Sequence, residues 1–580
     1  MTMLALQNGR SDGHASAMKS FLIYCALTLL LFLAACHNAD HSQTHTDDSE
    51  SKEPAVTLQP AADGIYYLDQ GWSDADRQEY YHLTQGTRIL PYDWFLALEM
   101  AESEKPFISD ESMARFRFIP NKNNPDGLPV GFAKTILDPS FKDPLSNEWV
   151  GFACSACHTG EMTYQGKNIR IDGGPAMIES LLFPKAMVMA LAANFQDEAK
   201  RARFVAKVLK TDTPDPQAVK ALSMGVQGYL KSAAAGAARD KEMGIYPLDW
   251  GFGRLDALGR GGNLVLQNLS PKNVVPAKAP VSFPAVWGAY ELDWVQWNGS
   301  IQQPLGRNLG EAIGVNSLLI TTPGPDQFKT SVNITDLVQA ENLLKKLKAP
   351  PWPGEFFGAI DKDKAAKGEA LYKDLCTRCH DIGMTEPNEF GKSFKDVKMV
   401  SLEEIGTDVT DALDFNKRQV ITGELGLGTI PAAQAIQALT NGILERQMKE
   451  GGYTPEQRAE MEGYRPNYWR DDLAYMARPH SGVWALAPYL HNGSVPNLYE
   501  LLSPVEERSA VFYVGNLEFD PQKVGFVSTE TPGAFKFDTS LDGNKNTGHE
   551  FKDGPVRDGV IGRALSEEER YQIIEYLKTR

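Results

Sequence analysis

Cys154 and Cys157 are followed at once by His158, and the same spacing returns at Cys376, Cys379 and His380. Two thiols three positions apart share one turn of helix, where they can form thioethers to the two vinyl groups of a haem. The histidine next in line is then carried under the iron as an axial ligand. A single match could be a zinc or redox Cys-x-x-Cys. A four-cysteine zinc site would need the two pairs brought together and would leave both histidines unexplained. Of the six cysteines, Cys25 and Cys36 lie near the N-terminus and the other four make the two motifs, so no cysteine is left over for a structural disulfide. Two covalently bound haem c groups are the expected cofactors.

Each iron has a second face. A His or Met there favours electron transfer, and an open face can take oxygen or peroxide. Beyond the motifs and the N-terminal segment, four histidines remain: His82, His480, His491 and His549. In a cytochrome c domain the sixth ligand usually comes from the loop before the last helix, and His549 lies in such a loop, so it is the first candidate for the C-terminal haem. His491 is the second, with a hydrogen bond to a propionate or a turn as its other role; His480 and Met476 follow. The N-terminal haem has no evident second ligand, which leaves its iron open.

These motifs need elements to hold them. Lys364 to Asp374 reads as a helix running into the second motif, with Ala365, Leu371 and Leu375 at helical spacing. Near the other end, Ser566 is placed to cap a helix with Glu567, Glu568 and Glu569 in its first turn. Residues 183–211 and 216–241 read as Ala-rich amphipathic helices, with Met187, Met189 and Phe195 as core. Pro120 to Gly131 reads as loop. The resulting fold class is mainly α: two cytochrome c-like haem domains with long loops and insertions and little strand. Ala349-Pro350-Pro351-Trp352-Pro353 is the strongest punctuation. It divides an N-terminal domain, 61–348, from a C-terminal domain, 349–580.

The N-terminal segment reads separately. Phe21 to Ala35 is an almost unbroken apolar run after Lys19, too short to span a bilayer comfortably. Met18 is a better start than Met1. The run ends Leu33-Ala34-Ala35-Cys36, which resembles a bacterial lipobox. That resemblance implies a signal peptide over 1–36, a lipid on Cys36 and a periplasmic or outer-membrane location, held by the anchor alone. Residues 37–60 are polar and read as a flexible tether. The chain of 580 residues has a net charge of −17 and a pI near 5.2. Such a charge disfavours nucleic acid, whose phosphates need clustered cations.

Further residues resemble a known superfamily. Trp297-Asn298-Gly299-Ser300, then Arg307-Asn308 and Glu311, resembles the Trp-Asp-Gly-Arg stretch and later Glu of bacterial dihaem cytochrome c peroxidases. Pro488 to Ser494 resembles their Pro-Tyr-x-His-Asp-Gly-Ser stretch. The rubber-oxygenase-like branch is more similar, through Cys154 to His158, Gly251 to Ala257, Phe283 to Gly314 and Gly548 to Phe551. The likeness runs from about Gln70 to the end. It implies a reactive N-terminal haem and an electron-transferring C-terminal haem. It makes Trp294, Trp297 and Asn298 candidates for the distal pocket or the electron path, Glu311 an acid-base candidate and Arg307 a charge stabiliser. Asn298 and Ser300 replace the Asp and Arg, and the run to Glu311 is shorter, which departs from the peroxidases. Asp538, Ser540, Asp542 and Gly543 match the start of a calcium loop, but position twelve is His549 where a bidentate Glu belongs. A polar turn is the first reading there and calcium the second.

The function expected is a haem oxidoreductase using oxygen or peroxide, an oxygenase of a hydrophobic organic substrate or a peroxidase. Its electrons would come from a small redox protein or a quinol-linked partner. The competing expectation is a dihaem electron carrier without substrate chemistry.

Overall fold

In the computed structural model, residues 59–580 are described. The expected signal peptide, Cys36 and nearly all of the expected tether lie outside them. Among the described residues, no helix is long and apolar enough to cross a membrane.

After a short strand, Ile65–Tyr67, comes a helix, α1 (Asp74–His82), that starts on a capping box made by Ser73 and Asp76. It buries Tyr80 and Tyr81. The Tyr81 carbonyl accepts from the Gly131 amide and from Ser155 Oγ, so α1 braces the first Cys-x-x-Cys-His turn. That turn does not sit between helices. It follows an antiparallel pair, β1 (Phe132–Ile136) and β2 (Glu148–Phe152), and runs into a hairpin, β3 (Thr159–Tyr164) and β4 (Lys167–Asp172). The hairpin turns on Gln165 and Gly166, both with positive φ, the backbone twist that right-handed strands accept.

Three helices follow in the Ala-rich region: α2 (Leu182–Gln196), α3 (Glu198–Leu209) and α4 (Pro216–Glu242). The first predicted helix is therefore two. Asp197 ends α2 in an extended conformation, and its carboxylate caps α3 through the Lys200 amide. Met187 is core, as expected, whereas Met189 is exposed. Next comes α5 (Pro304–Gly314), almost wholly buried.

The C-terminal part matches its sequence closely. The helix α6 (Lys362–Leu375) starts on Asp361 and runs into α7 (Thr377–His380), which carries the second motif. The last helix, α8 (Glu567–Leu577), begins with the Ser566–Glu569 capping box. α6 and α8 cross where Gly368 meets the Gln572 carbonyl. A Cβ on Gly368 would lie 1.9 Å from that oxygen.

The mainly α expectation with little strand is overturned. The described residues are 39% helical and 15% strand, with the strands spread over many small sheets. The reason is physical. The strands are two to six residues long, so none offers a long alternation for a sequence to show. The largest core draws from both sides of the Ala349–Pro353 segment, joining Tyr80, Leu343 and Leu347 to Trp484, Ile573 and Leu577. The segment itself is neither helix nor strand. Trp484 Nε1 donates to the Pro350 carbonyl at 2.9 Å, and Trp352 meets Trp484 edge-on.

Candidate functional site

The first motif forms one 3-10 turn, with the Cys157 and His158 amides donating to the Cys154 carbonyl. Gly131 permits it. A Cβ there would stand 2.2 Å from Ala156 Cα, and its φ of +86 suits only glycine. His158 Nδ1 lies 2.9 Å from the Pro284 carbonyl. A carbonyl can only accept, so Nδ1 carries the proton and Nε2 is the basic nitrogen. Burial pushes the His158 imidazolium down to about 4 and the Cys154 and Cys157 thiols up to about 12. The imidazole is thus neutral at ordinary pH, as a metal ligand must be, and neither thiol is an activated thiolate.

All three residues line a mainly apolar cavity of about 1170 Å³. A smaller lobe of about 640 Å³ shares Cys154, His158, Gln296, Arg307 and Glu311 with it. The wall opposite the motif is α5. Arg307, Gly310, Glu311 and Gly314 follow one another at helical spacing and all line the cavity. The two glycines leave room where side chains would stand. Arg307 pairs with Glu341, which also accepts from Asn308 Nδ2 at 2.9 Å. Glu311 lies 4.0 Å from Arg307 and accepts from Gln296 Nε2 at 3.0 Å. Burial raises the Glu311 carboxyl above its ordinary range, against the pull of Arg307. A carboxyl so placed can hold a proton beside the cavity.

Of the other candidates, Trp297 lines the cavity and donates through Nε1 to the Ser282 carbonyl at 2.9 Å. Trp294 lines none of the cavities described; the Arg470 guanidinium covers its ring at 3.9 Å. Asn298 is fully buried, with no hydrogen bond to either amide atom. The structure thus gathers Trp297, Arg307 and Glu311 and leaves Trp294 and Asn298 outside. It adds residues no motif announced: Gln296, Glu341, Arg478, and Tyr80, whose buried hydroxyl in the smaller lobe has no partner. Only the helical placement of Tyr80 was readable in sequence. His82 is a fixed structural residue, held by the Phe132 carbonyl at 3.1 Å and Asn121 at 2.7 Å.

The second motif repeats the first in its essentials. His380 Nδ1 lies 3.0 Å from the Arg478 carbonyl, again leaving Nε2 basic. Its cavity measures about 1430 Å³ and contains three more histidines, His480, His491 and His549. His480 packs on His380 with ring centres 4.0 Å apart and bonds the Tyr372 hydroxyl at 3.0 Å. His491 stacks on Tyr475 at 4.0 Å. His549 stands 6.5 Å from His380, ring centre to ring centre, and its buried Nδ1 has no partner. Two imidazoles bound to opposite faces of one metal at about 2 Å each have ring centres roughly 6 Å apart. The His380–His549 pair fits that separation and the His380–His480 pair is too close. Ser282, Phe283, Pro284 and Trp297 line both cavities, so one thin wall separates them.

The calcium reading finds no donor set. Asp538 accepts from the Ser540 amide and hydroxyl, and Asp542 pairs with Lys545. Among the described residues, no group of three or more His, Cys, Asp or Glu side chains is placed to hold a metal ion.

Comparison with known proteins places this geometry among relatives. A family profile described as RoxA-like, cytochrome c-like, matches residues 474–513, the stretch that carries Tyr475, Arg478, His480 and His491. An uncharacterized protein of Sinorhizobium fredii, y4iJ, is 38% identical over 565 residues, covering 90% of this chain and 94% of its own. A second protein of that organism, y4iM, is 28% identical over 328 residues, 54% of this chain and 68% of its own.

Proposed function

The chain belongs to the family of the y4iJ protein, and on that premise we propose that it is an exported dihaem c-type cytochrome and haem oxidoreductase. Its RoxA-like segment is cytochrome c-like, which means covalently bound haem c and an oxidoreductase or electron-transfer role.

In this reading Cys154, Cys157 and His158 hold one haem and Cys376, Cys379 and His380 the other. His549 would be the second histidine to hold the C-terminal haem. When bound, haem supplies an iron that exchanges single electrons and, on an open face, takes up oxygen or peroxide. The chain's own residues do the rest. The Pro284 and Arg478 carbonyls fix the two proximal imidazoles. The apolar walls keep water from the N-terminal cavity. Glu311 holds a proton within it, and Arg307, already neutralised by Glu341, positions that carboxyl. Trp297 spans the wall between the sites as the electron path. Two domains meeting near Ala349–Pro353, a lipid anchor at Cys36, a periplasmic or outer-membrane location, a small redox or quinol-linked donor and a hydrophobic substrate complete the proposal. These last features rest on the sequence.

The observation that carries the reading is the inequality of the two cavities. The C-terminal one offers His549 at the separation an opposed ligand needs. Among the described residues, the main N-terminal cavity is lined by no histidine besides His158 and by no methionine. One observation favours the electron carrier instead: Met476 lines the smaller N-terminal lobe and could close that iron.

Absorption and EPR spectra of the purified protein, before and after cyanide, decide between them. The oxidoreductase reading expects one haem to bind cyanide while the other stays low-spin and unchanged. Two low-spin haems that ignore cyanide, oxidised or partly reduced, would leave the carrier.

A further inference from the structure

Arg478 lies between the two cavities, and among the described residues no carboxylate pairs with it. It lines both the smaller lobe beside His158 and the cavity of His380. One guanidinium nitrogen donates to the Ala285 carbonyl at 2.9 Å, and the group lies 4.9 Å from the centre of the Trp297 ring. Arg307 in the same lobe is the contrast, since Glu341 neutralises it. A half-buried cation without a counter-charge costs more than one carbonyl bond returns. Such a group implies an anion that the described residues do not supply.

The backbone around Arg478 ties it to both motifs. Its carbonyl accepts from His380 Nδ1. Its side chain holds the Ala285 carbonyl, and the preceding Pro284 carbonyl accepts from His158 Nδ1. One residue therefore touches the supports of both proximal histidines. Haem c brings its own anions. Once its vinyl groups are spent on the cysteines, its two propionates are the charged groups left at its edge.

We propose that Arg478 is a shared carboxylate-binding residue, its planar guanidinium pairing with a haem propionate from each cavity. The pairing matches the fork of an arginine, which presents separate donors to two carboxylates. It rests on the reading that both motifs carry haem. It makes Arg478 a positioning residue that sets the two midpoint potentials together, because a nearby cation disfavours the extra positive charge of the ferric state.

The test is a spectroelectrochemical titration of the full-length holoprotein, native, R478M and R478K, with haem-to-protein ratios measured first. One haem per chain in the native protein sinks the dihaem reading on which the proposal rests, whatever the variants do. With two haems present, the expected result is that both midpoints fall in R478M and fall less in R478K. Unchanged midpoints, or a shift confined to one haem, overturn the shared role. Should R478M fail to load haem, R478K decides, since it keeps the charge but loses the fork. A fall at both haems upholds the proposal, and anything less overturns it.

Discussion

The two motif histidines, His158 and His380, are held in the same way by unrelated segments, each through Nδ1 to a main-chain carbonyl. This fixes the tautomer before any metal arrives. The second ligand is where two residues compete, and geometry separates them. His549 has φ near +44, a left-handed conformation that glycine takes without strain. H549G should therefore fold, convert the C-terminal haem from low-spin to high-spin, and recover the low-spin spectrum when imidazole is added. H480A should leave the low-spin signal in place. The opposite pattern would transfer the ligand role to His480. The motifs and His549 could be put forward as candidates because cysteine spacing and a loop before the last helix are local signals. Arg478, Glu341 and Tyr80 could not, because each owes its role to contacts closed across the fold.

A second residue-scale prediction concerns charge away from the cavities. Burial holds the Asp411 carboxyl well above its ordinary range, and Asp256, Asp408 and Asp414 push it further. The folded state thus keeps a proton that the unfolded state has released. Asp411 is harmless below its unfolded value near 4, and it costs stability as pH rises from there through its folded value. D411N removes that penalty. Thermal unfolding should show D411N gaining on the native protein between acid and neutral pH. A constant difference at all pH values would mean that the carboxyl is ionised in the fold.

At the scale of elements, the crossing of α6 and α8 carries the second motif. Its helices were readable from periodicity and caps, down to the Ser566–Glu569 box. The role of Gly368 was not, since only the packed pair shows the Gln572 carbonyl pressed against it. G368A should cost about 1–3 kcal/mol or more, because backbone on both sides must shift. Its expected signature is a lowered unfolding temperature together with weaker retention of the C-terminal low-spin signal. An unchanged melting curve would show that the crossing can open at no cost. The strands around the first motif were missed for a related reason. β1 and β2 have their meaning only as partners, and their short sequences look like the loops that flank them.

At the scale of the whole molecule, the wall between the cavities matters more than either cavity alone. The Ala349–Pro353 punctuation was legible, but the core that crosses it was not, because that core is assembled from residues hundreds of positions apart. The same closure puts Trp297 against both cavities, anchored on the Ser282 carbonyl and flanked by Arg478. An indole in that position offers a conjugated group between two redox centres, where saturated side chains would offer none. W297L keeps the apolar wall but removes the ring and the anchoring bond. Rapid reduction by an external donor should then fill the C-terminal haem at the native rate and the N-terminal haem roughly tenfold more slowly, which is about 1.4 kcal/mol of barrier. W297F, which keeps an aromatic ring, should fall between. Equal filling rates in all three proteins would assign the path to the Pro284–Ala285 backbone instead. That segment links the His158 bond to the Arg478 bond, so the path and the shared cation would then be properties of one continuous strip of chain.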